Sequence, residues 1–393
     1  MRNRRAAPAC PHYPGCFGCN FIDLPYPEQL AAKHRRVSEA LAAYPAIAGL
    51  KLPPVVPSPR RLRYRARVKL VVRQAGKTVL AGLYVPESHR VFDISSCPVH
   101  PEAVNRVVSY LKKKLPALGV SPYDPVTDRG QLRYLDFIYS FWRREILLTL
   151  VTRQRSFAEG RTLARLLMKR FPFIAGVLQN TNEEAGNVIW GKDFCVLAGR
   201  DSIMERIGFL KLKYPAGTFA QVNPAVAAKI YAAISELARL EKRETVLDLY
   251  CGVGPIALHL ARGAALVWGV DESSLAIAAA KQNARLNGIG NCRFFADDAR
   301  AKLSEAALAL PAIDLVIVNP PRKGLRADII APLVALKAPR LIYVSCNPQT
   351  LARDLNRLSE HGYGVRFIQP FDMFPQTPEV ENVALLSKAP ARG

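Results

Sequence analysis

Cys346 and the residues around it have the types needed for covalent catalysis. The thiol stands in Ser345-Cys-Asn-Pro348, directly after a short apolar stretch and before a helical one. A cysteine at such a strand end is partly exposed, and a neighbouring cation such as Arg322 or Lys323 would lower the pKa of its thiol. We therefore expect Cys346 to be a nucleophile, with a small core residue as the alternative.

A carboxylate near the end of the sequence could serve as the matching general base. Glu379 and Glu381 both lie in the stretch 377–386, at the start of an apolar strand. Residues two apart in a strand face the same side, so the alternation does not choose between them.

A turn containing two glycines predicts a ligand site between a strand and a helix. In Asp248-Leu-Tyr-Cys-Gly-Val-Gly254, the glycines Gly252 and Gly254 let the backbone turn tightly while helix N–H groups point at a ligand. The dinucleotide pattern G-x-G-x-x-G is not met, because Ala257 occupies its third glycine position.

Acidic residues at the ends of the next two strands extend this site. Asp271 follows Gly254 by 17 residues and is placed to accept both hydroxyls of a ribose. Asp298, the second residue of Asp297-Asp298, is placed to contact an adenine edge. Asp-x-x-x-Gly-x-Gly with such acids has the layout of an S-adenosylmethionine site. The alternative is a bare strand-to-helix turn with solvated acids.

The loop Asn319-Pro-Pro-Arg-Lys-Gly324 closes the fourth strand of the same region. Its paired prolines fix an extended backbone at the carboxyl edge of the sheet, where substrates bind in doubly wound folds. Asn-Pro-Pro followed by an aromatic residue marks enzymes that methylate amino groups of DNA and protein, but here Arg322 follows. The loop therefore argues against direct attack by an exocyclic amine.

Three of the eight cysteines are clustered as Cys10-x5-Cys16-x2-Cys19. A cytosolic chain of this length seldom needs disulfides, so the cluster indicates metal binding or catalysis. Cys195 and Cys292 stand among apolar neighbours and are expected to be ordinary core residues.

Strands and helices alternate from about residue 205 onwards and must position these groups. Near-continuous apolar strands separated by helices predict a doubly wound parallel sheet. The predicted strands are 245–249, 266–270, 314–318, 341–344 and 365–368, and the predicted helices are 224–240, 255–262, 273–287, 325–337 and 349–360.

The first half of the chain has basic strands and predicts an α+β region. The run Arg60–Lys69 holds six basic residues and no acidic one, and the whole chain has 55 Lys and Arg against 32 Asp and Glu, a formal net charge of +23. This excess predicts a polyanionic partner, although the run alone could be a solvated face. An anionic membrane surface is disfavoured, because no apolar stretch approaches ~18 residues.

The combined motifs resemble those of the RNA uracil-C5 methyltransferases that carry a four-iron cluster, over nearly the whole chain. The matching motifs are Phe219-Ala-Gln221-Val-Asn223, the Gly252/Gly254 loop, Asp271, Asn319-Pro-Pro-Arg, Ser345-Cys346-Asn and Glu381. The resemblance implies that Cys346 adds to C6 of uracil and that C5 attacks the methyl group of S-adenosylmethionine. Glu381 would then remove the C5 proton from a flipped base.

The resemblance also implies which residues hold the methyl donor and the cluster. Donor contacts are expected from Gln221, Tyr250, Asp271 and Asn319, with Asp298 a weaker candidate for the adenine. Cys10, Cys16, Cys19 and the distant Cys97 resemble the ligands of a [4Fe–4S] cluster, which takes four thiolates. Structural zinc is the alternative for four cysteines. The cluster would tie the N-terminal loop to the sheet ending at Cys97, and the methyl transfer itself requires no electron.

Three features resemble the family branch that methylates uridine 747 of 23S ribosomal RNA. The N-terminal oligonucleotide-binding TRAM domain of other branches is expected to be missing, and Asn319 stands where most branches have Asp. The third feature is a pair of motifs, Phe371-Asp-Met-Phe-Pro375 and Arg129-Gly-x-Leu-x-Tyr134. As departures from the family, Asp271 replaces the usual Glu, and Gln376 and Glu379 stand where His is frequent.

Taken together, these expectations define a fold class, a domain division and a function. We expect an α/β fold, with a Rossmann-like class I methyltransferase domain over 205–393 after an N-terminal α+β region. That region divides into 1–100, with the iron–sulfur site and basic strands, and 101–204, which binds RNA. The partner would be 23S rRNA in the cytoplasm, with no membrane and no obligate protein partner. The alternatives are another 23S rRNA uridine, a tRNA T-loop uridine, amino-group methylation, or a non-catalytic iron–sulfur RNA-binding protein.

Overall fold

The computed structural model describes residues 10–184, 186 and 188–388. They divide into two compact units. The first comprises 10–24, Arg60–Glu205 and Lys213–Pro224, and the second comprises Pro25–Pro59, Arg206–Leu212 and 225–388.

Helices and strands alternate more regularly in the second unit than in the first. The helices are α1 Tyr26–Ala42, α2 Glu102–Ala117, α3 Gly160–Arg170, α4 Pro224–Ala238, α5 Pro255–Leu260, α6 Ser274–Leu286, α7 Ala299–Ala309, α8 Ala327–Ala335 and α9 Pro348–Glu360. The strands are β1 Arg67–Ala75, β2 Thr78–Tyr84, β3 Val91–Asp93, β4 Leu132–Ser140, β5 Glu145–Thr152, β6 Ile174–Thr181, β7 Asp193–Gly199, β8 Ser202–Ile207, β9 Leu210–Pro215, β10 Thr245–Leu249, β11 Leu266–Asp271, β12 Cys292–Ala296, β13 Leu315–Val318, β14 Arg340–Ser345, β15 Tyr363–Phe371 and β16 Glu381–Lys388.

The first unit is built on a seven-stranded sheet of order β3-β2-β1-β4-β5-β6-β7. Its strand pairs are antiparallel except for β5 and β6. These two strands are parallel, and the helix α3 connects them. Alternate residues of β1, namely Val68, Leu70 and Val72, are buried with Leu111 of α2 and Leu163 of α3. The other face carries a smaller apolar cluster around Val71, Tyr134 and Val151.

One prediction for the first unit was wrong at its outer edge. Residues 188–190 form no strand. The edge strand is instead β7, and Cys195 on it is exposed rather than part of the core. The reason is that an edge strand has no outer neighbour, so apolar residues beside Cys195 do not imply burial.

The second unit contains a seven-stranded sheet of order β12-β11-β10-β13-β14-β16-β15. Its first five strands are parallel, and β13 is buried along its whole length, as expected for a strand covered on both faces. On one face, α1, α7, α8 and α9 share a core that includes Val37, Leu303, Ile329 and Leu355. A Rossmann-like sheet, as expected within 205–393, is therefore present.

The expectation of an entirely parallel sheet was wrong for one strand, β16. β16 runs antiparallel to both β14 and β15. The physical reason is the connection: no helix crosses between Phe371 and Glu381, so the chain must return in the opposite direction. This reversal brings the start of β16 beside the end of β14.

One helix of the second unit, α7, was not predicted, because the Ala-rich stretch 299–309 shows little apolar periodicity.

No helix among the described residues has the length and apolar character needed to cross a membrane.

Candidate active site

Cys346 lies between the last residue of β14 and the first turn of α9. Asn347 caps that helix, with its side chain accepting a hydrogen bond from the N–H of Gln349, and Pro348 takes the first helical position. The thiol is half-buried at the carboxyl edge of the sheet. The thiol thus lies at the strand end where the sequence places it, and its role as a nucleophile stays a prediction.

Glu381 is placed beside Cys346 by the strand register. β14 pairs with β16 so that Ser345 is opposite Asn382, and one further step of this register brings Cys346 level with Glu381, whose charge acts on the thiol. The side-chain amide of Asn382 donates to the carbonyl of Ser345 at 3.3 Å. Glu381 itself is only 9% exposed and is the first residue of β16.

The pKa of the Cys346 thiol is shifted in the direction opposite to the one that the neighbouring cations predict. Burial, followed by the charge of Glu381, raises the pKa of the Cys346 thiol, and Arg322 opposes this by charge and by a hydrogen bond. The expected lowering by neighbouring cations is therefore outweighed by burial. Burial also raises the pKa of Glu381 to about 8, again opposed by Arg322. One arginine thus faces both candidate reacting groups.

The structure separates the two candidate carboxylates that the sequence left together. Glu379 precedes β16, and its N–H donates to the hydroxyl of Thr377 at 3.3 Å. Its charge opposes the lowering of the Lys33 pKa by burial. Of the two carboxylates, Glu381 is the one whose charge raises the pKa of the Cys346 thiol.

The loop 319–324 is fixed to the first turns of α9. The carbonyl of Arg322 accepts from the amide of Asn347 and from the hydroxyl of Thr350, each at 3.2 Å. Arg353 donates to the carbonyl of Lys323 at 2.8 Å. Because Asn347 is adjacent to Cys346, these bonds couple the position of Arg322 to that of the thiol.

The glycine turn after β10 has the conformation that its sequence predicts. Gly252 and Gly254 have φ values of +57° and +85°, and Gly254 caps α5. A Cβ atom on Gly252 would meet no atom within 4 Å, so open space lies beside this turn. Tyr250 also has a positive φ, 64°, and burial raises the pKa of its phenol to about 12.

Asp271 connects the end of β11 to this turn. One carboxylate oxygen accepts from the N–H of Gly252 and the other from the N–H of Ser273, both at 2.9 Å. Each oxygen keeps a lone pair, so the carboxylate can still accept ribose hydroxyls. The predicted juxtaposition of Asp271 with the glycine turn is present.

Asp298 follows β12 and Asn319 follows β13, which are the strands on either side of the pair β11 and β10. Asp298 caps α7 by accepting from the N–H groups of Arg300 and Ala301, and its second oxygen pairs with Arg326 at 3.0 Å. Asn319 is half-buried after β13, and its N–H donates to the carbonyl of Leu249 at 3.4 Å. Gln221 belongs to the other unit, in the stretch before α4, and its donor contact stays a prediction.

Asp248 is the first residue of the glycine motif but was not predicted as a site residue. It is completely buried beneath the glycine turn, where one oxygen accepts from the N–H of Ala257 at 3.0 Å. Its other oxygen has no hydrogen-bond partner among the described atoms. Burial, with a smaller contribution from Asp271, raises its pKa to about 8. The available signal was an acidic residue inside an otherwise apolar strand.

The four cysteines proposed as ligands are all partly buried in the first unit. Burial, followed by the charges of Cys97, Cys16 and Cys10, raises the pKa of Cys19 to about 12, so the four are electrostatic neighbours. Within the described residues, however, no group of three or more His, Cys, Asp or Glu side chains is arranged to hold a metal ion. The donor set is chemically suited to a cluster, while its arrangement is not that of a formed site.

Comparison with known proteins identifies a family. The family model described as tRNA (Uracil-5-)-methyltransferase matches residues 25–389. A protein named as an uncharacterized RNA methyltransferase of Geobacter sulfurreducens is 39% identical over 387 residues, which cover 98% of this chain and 78% of the relative. A second, from Halalkalibacterium halodurans, is 36% identical over 382 residues, covering 97% and 83% respectively.

A solved structure is similar over most of the chain. The Pyrococcus abyssi tRNA (uracil-54, C5)-methyltransferase, in complex with S-adenosyl-L-homocysteine, superposes with a TM-score of 0.76 at 28% identity. The similarity covers 95% of this chain and 86% of that one. It therefore includes both compact units.

Proposed function

The chain belongs to the tRNA (uracil-5-)-methyltransferase family, and from this premise we propose that it transfers a methyl group from S-adenosylmethionine to C5 of a uridine in RNA. The observation that carries the proposal is the juxtaposition of Cys346 and Glu381 across the β14/β16 register. A nucleophile and a base on neighbouring strands suit a reaction that needs covalent activation followed by proton removal.

The chemistry begins at the uracil ring, whose C5 is a poor nucleophile. The thiolate of Cys346 forms a bond to C6, and the electron pair of the C5–C6 double bond moves onto C5 and the O4 carbonyl. S-Adenosylmethionine, when bound, supplies a methyl group on a positively charged sulfur. C5 bonds to that methyl carbon while the methyl–sulfur bond breaks and its electron pair stays on the sulfur, which leaves as a neutral thioether. Glu381 then takes the C5 proton, the double bond re-forms, and the C6–S bond breaks to return the thiolate.

Arg322 has a defined part in this sequence. Its cation opposes the upward pKa shifts of both Cys346 and Glu381, so it favours the anionic forms that addition and proton removal require. The hydrogen bonds from α9 to its carbonyl keep it at the thiol.

The edge formed by β10 to β13 suits the methyl donor. The open space beside Gly252 admits a ligand, and Asp271 is held at the same turn with lone pairs available for ribose hydroxyls. The unpartnered oxygen of buried Asp248 gives the turn a further polar group. We assign donor contacts to Gln221, Tyr250, Gly252, Gly254, Asp271, Asn319 and, for the adenine, Asp298.

The first unit supplies groups suited to RNA. The ring of Trp190 lies under the ammonium of the half-buried Lys69 at 4.0 Å. Arg60 lies over Phe141 at 5.0 Å. Basic groups interleaved with aromatic rings bind phosphates and stack on unpaired bases, as a flipped uridine requires. In this proposal, the basic strands within 1–100 and the region 101–204 hold RNA, and 205–393 carries out the chemistry.

For the RNA itself we propose 23S rRNA with uridine 747 as the target, on the motifs Asn319-Pro-Pro-Arg, Phe371–Pro375 and Arg129–Tyr134. A tRNA T-loop uridine is the second candidate, because the similar P. abyssi enzyme is named for uracil 54 of tRNA. Cys10, Cys16, Cys19 and Cys97 would hold a [4Fe–4S] cluster, since four thiolates match its ligand requirement. The cluster would fasten the N-terminal loop and take no part in methyl transfer.

The test is to incubate the protein with S-adenosylmethionine labelled on its methyl group and with unmodified transcripts of 23S rRNA and tRNA. Mass mapping of nuclease fragments then locates the methyl group. A single 5-methyluridine at position 747 supports the whole proposal, and one at another uridine retains the chemistry but rejects the target. Methylation of an exocyclic amine, or none by protein with an intact cluster, rejects the proposed reaction.

A further inference from the structure

One face of α1 presents a row of polar residues to a single segment of chain. Tyr26, Gln29, Lys33 and Arg36 are spaced by three, four and three residues, which places them along one side of the helix. Each makes a hydrogen bond to the stretch 372–378. That stretch ends three residues before Glu381, the proposed general base.

Lys33 and Asp372 form the centre of this contact. Their ion pair is fully buried, with both side chains at 0% exposure. The Lys33 ammonium also donates to the carbonyl of Phe374 at 2.9 Å, and the second oxygen of Asp372 accepts from the hydroxyl of Tyr26 at 2.7 Å. Both charges are therefore hydrogen-bonded as well as paired.

Two further contacts hold the segment beyond Asp372. The amide of Gln29 donates to the side-chain oxygen of Gln376 at 2.8 Å and accepts from the N–H of Gln376 at 3.0 Å. Gln376 has a φ of 72°, which a non-glycine residue adopts only when its surroundings impose it. Arg36 donates to the carbonyl of Pro378 at 3.3 Å.

A buried ion pair is a poor device for stability, because removing two charges from water costs about as much as their attraction returns. Its value lies in fixing one geometry. Every bond in this set fixes the chain that leads into β16, where Glu381 stands opposite Cys346. We propose that the polar face of α1 is the positioning device for the general base, with Lys33 and Asp372 as its principal positioning residues.

This inference rests on the proposed function and concerns one step of it. Addition of Cys346 and methyl transfer precede the action of Glu381. Removal of the C5 proton sends the C5–H electron pair into the C5–C6 double bond, and the C6–S pair returns to sulfur. A displaced carboxylate slows this step alone, so methylated RNA remains covalently attached to the protein. A loss of general stability would lower addition and release together.

The experiment compares Lys33→Met with Arg35→Met in the full chain. Both remove one positive charge from the same turn of α1, but Arg35 is exposed. With methyl-labelled S-adenosylmethionine, label bound to protein on a denaturing gel measures the adduct, and label in free RNA measures product. We expect Lys33→Met to release product about 10- to 100-fold more slowly, as for a misplaced reacting group, while its adduct accumulates. Arg35→Met should give the same ratio of adduct to product as the unmodified protein.

The results separate this inference from the proposed function. If the unmodified protein methylates uridine C5 and Lys33→Met shows the normal ratio of adduct to product, the positioning role is rejected and the function stands. If adduct and product fall together in a folded Lys33→Met protein, the role is likewise rejected. If Lys33→Met does not fold, Arg36→Met, which loses one hydrogen bond from a half-buried residue, must shift the ratio in the same direction. An unmodified protein without uridine C5 activity rejects both proposals.

Discussion

Glu381 lies opposite Cys346 at the point where β16 passes the end of β14, one register step beyond the Ser345–Asn382 pair. The two groups affect each other, since the carboxylate raises the pKa of the thiol. Addition is therefore favoured while Glu381 is protonated, and proton removal requires Glu381 to be ionised. The pair is suited to acting in sequence rather than simultaneously.

Replacing Glu381 by Gln should stop the reaction after methyl transfer. The amide occupies the same volume but cannot accept the C5 proton, so we expect product release to fall about 10²- to 10⁴-fold, as for loss of a general base. Methylated RNA should remain bound to Cys346 and migrate with the protein on a denaturing gel. Glu379→Gln is the matched control, because Glu379 is an acidic residue of the same segment that lies before β16. If the adduct accumulated in Glu379→Gln instead, Glu379 would be the general base.

Replacing Cys346 by Ala should abolish both adduct and product while leaving the protein folded. The side chain is half-buried in a short connection, so we expect a change of less than about 1 kcal/mol in the free energy of unfolding. Methylation without the thiol would contradict covalent catalysis and would fit attack by an exocyclic amine. Label transfer and thermal unfolding, measured on the same preparation, give the two quantities.

The breakdown of a preformed adduct should become faster with rising pH. Only proton removal remains to be done in the adduct, and burial raises the pKa of Glu381 to about 8, so the ionised base increases through that region. Arg322 lowers this pKa, and Arg322→Met should therefore move the rise to higher pH. Single-turnover rates between about pH 6.5 and 9 test both statements. An unchanged profile in the variant would show that Arg322 does not act on the base.

Replacing Gly252 by Ala should weaken donor binding beyond its cost in stability. Gly252 and Gly76 both have a φ of +57° and open space around the site of a Cβ, so Ala imposes the same backbone strain at each, about 1–2 kcal/mol. Gly76 lies in the turn between β1 and β2, which makes Gly76→Ala the control. We expect similar losses of unfolding free energy, but a raised Kd for S-adenosylmethionine only in Gly252→Ala. Equal Kd values would place the donor elsewhere.

The parts of the site that depend on local sequence were predictable. β10 was predicted with its observed ends, because a buried parallel strand is a continuous apolar run bounded by polar residues. The glycine turn and Cys346 followed from strand ends alone. The choice between Glu379 and Glu381 could not be made, since it depends on the β14/β16 register. Lys33 gave no signal because its partner Asp372 is 339 residues away.

Asp248 should make the stability of the protein depend on pH. Its folded pKa of about 8 lies above its ordinary value of 3.8, because burial disfavours the charge. The folded state therefore holds the proton more tightly, and this contribution is complete below about pH 4 and is lost as the pH rises through 8. Asp248→Asn cannot ionise, so its melting temperature relative to the unmodified protein should increase from pH 5 to 8 in the absence of ligand. Asp124→Asn is the control, since hydrogen bonds hold the pKa of this exposed carboxyl below its usual value and it stays ionised over that range. A difference for Asp248→Asn that does not change with pH would mean that the buried carboxyl is already ionised when the protein folds.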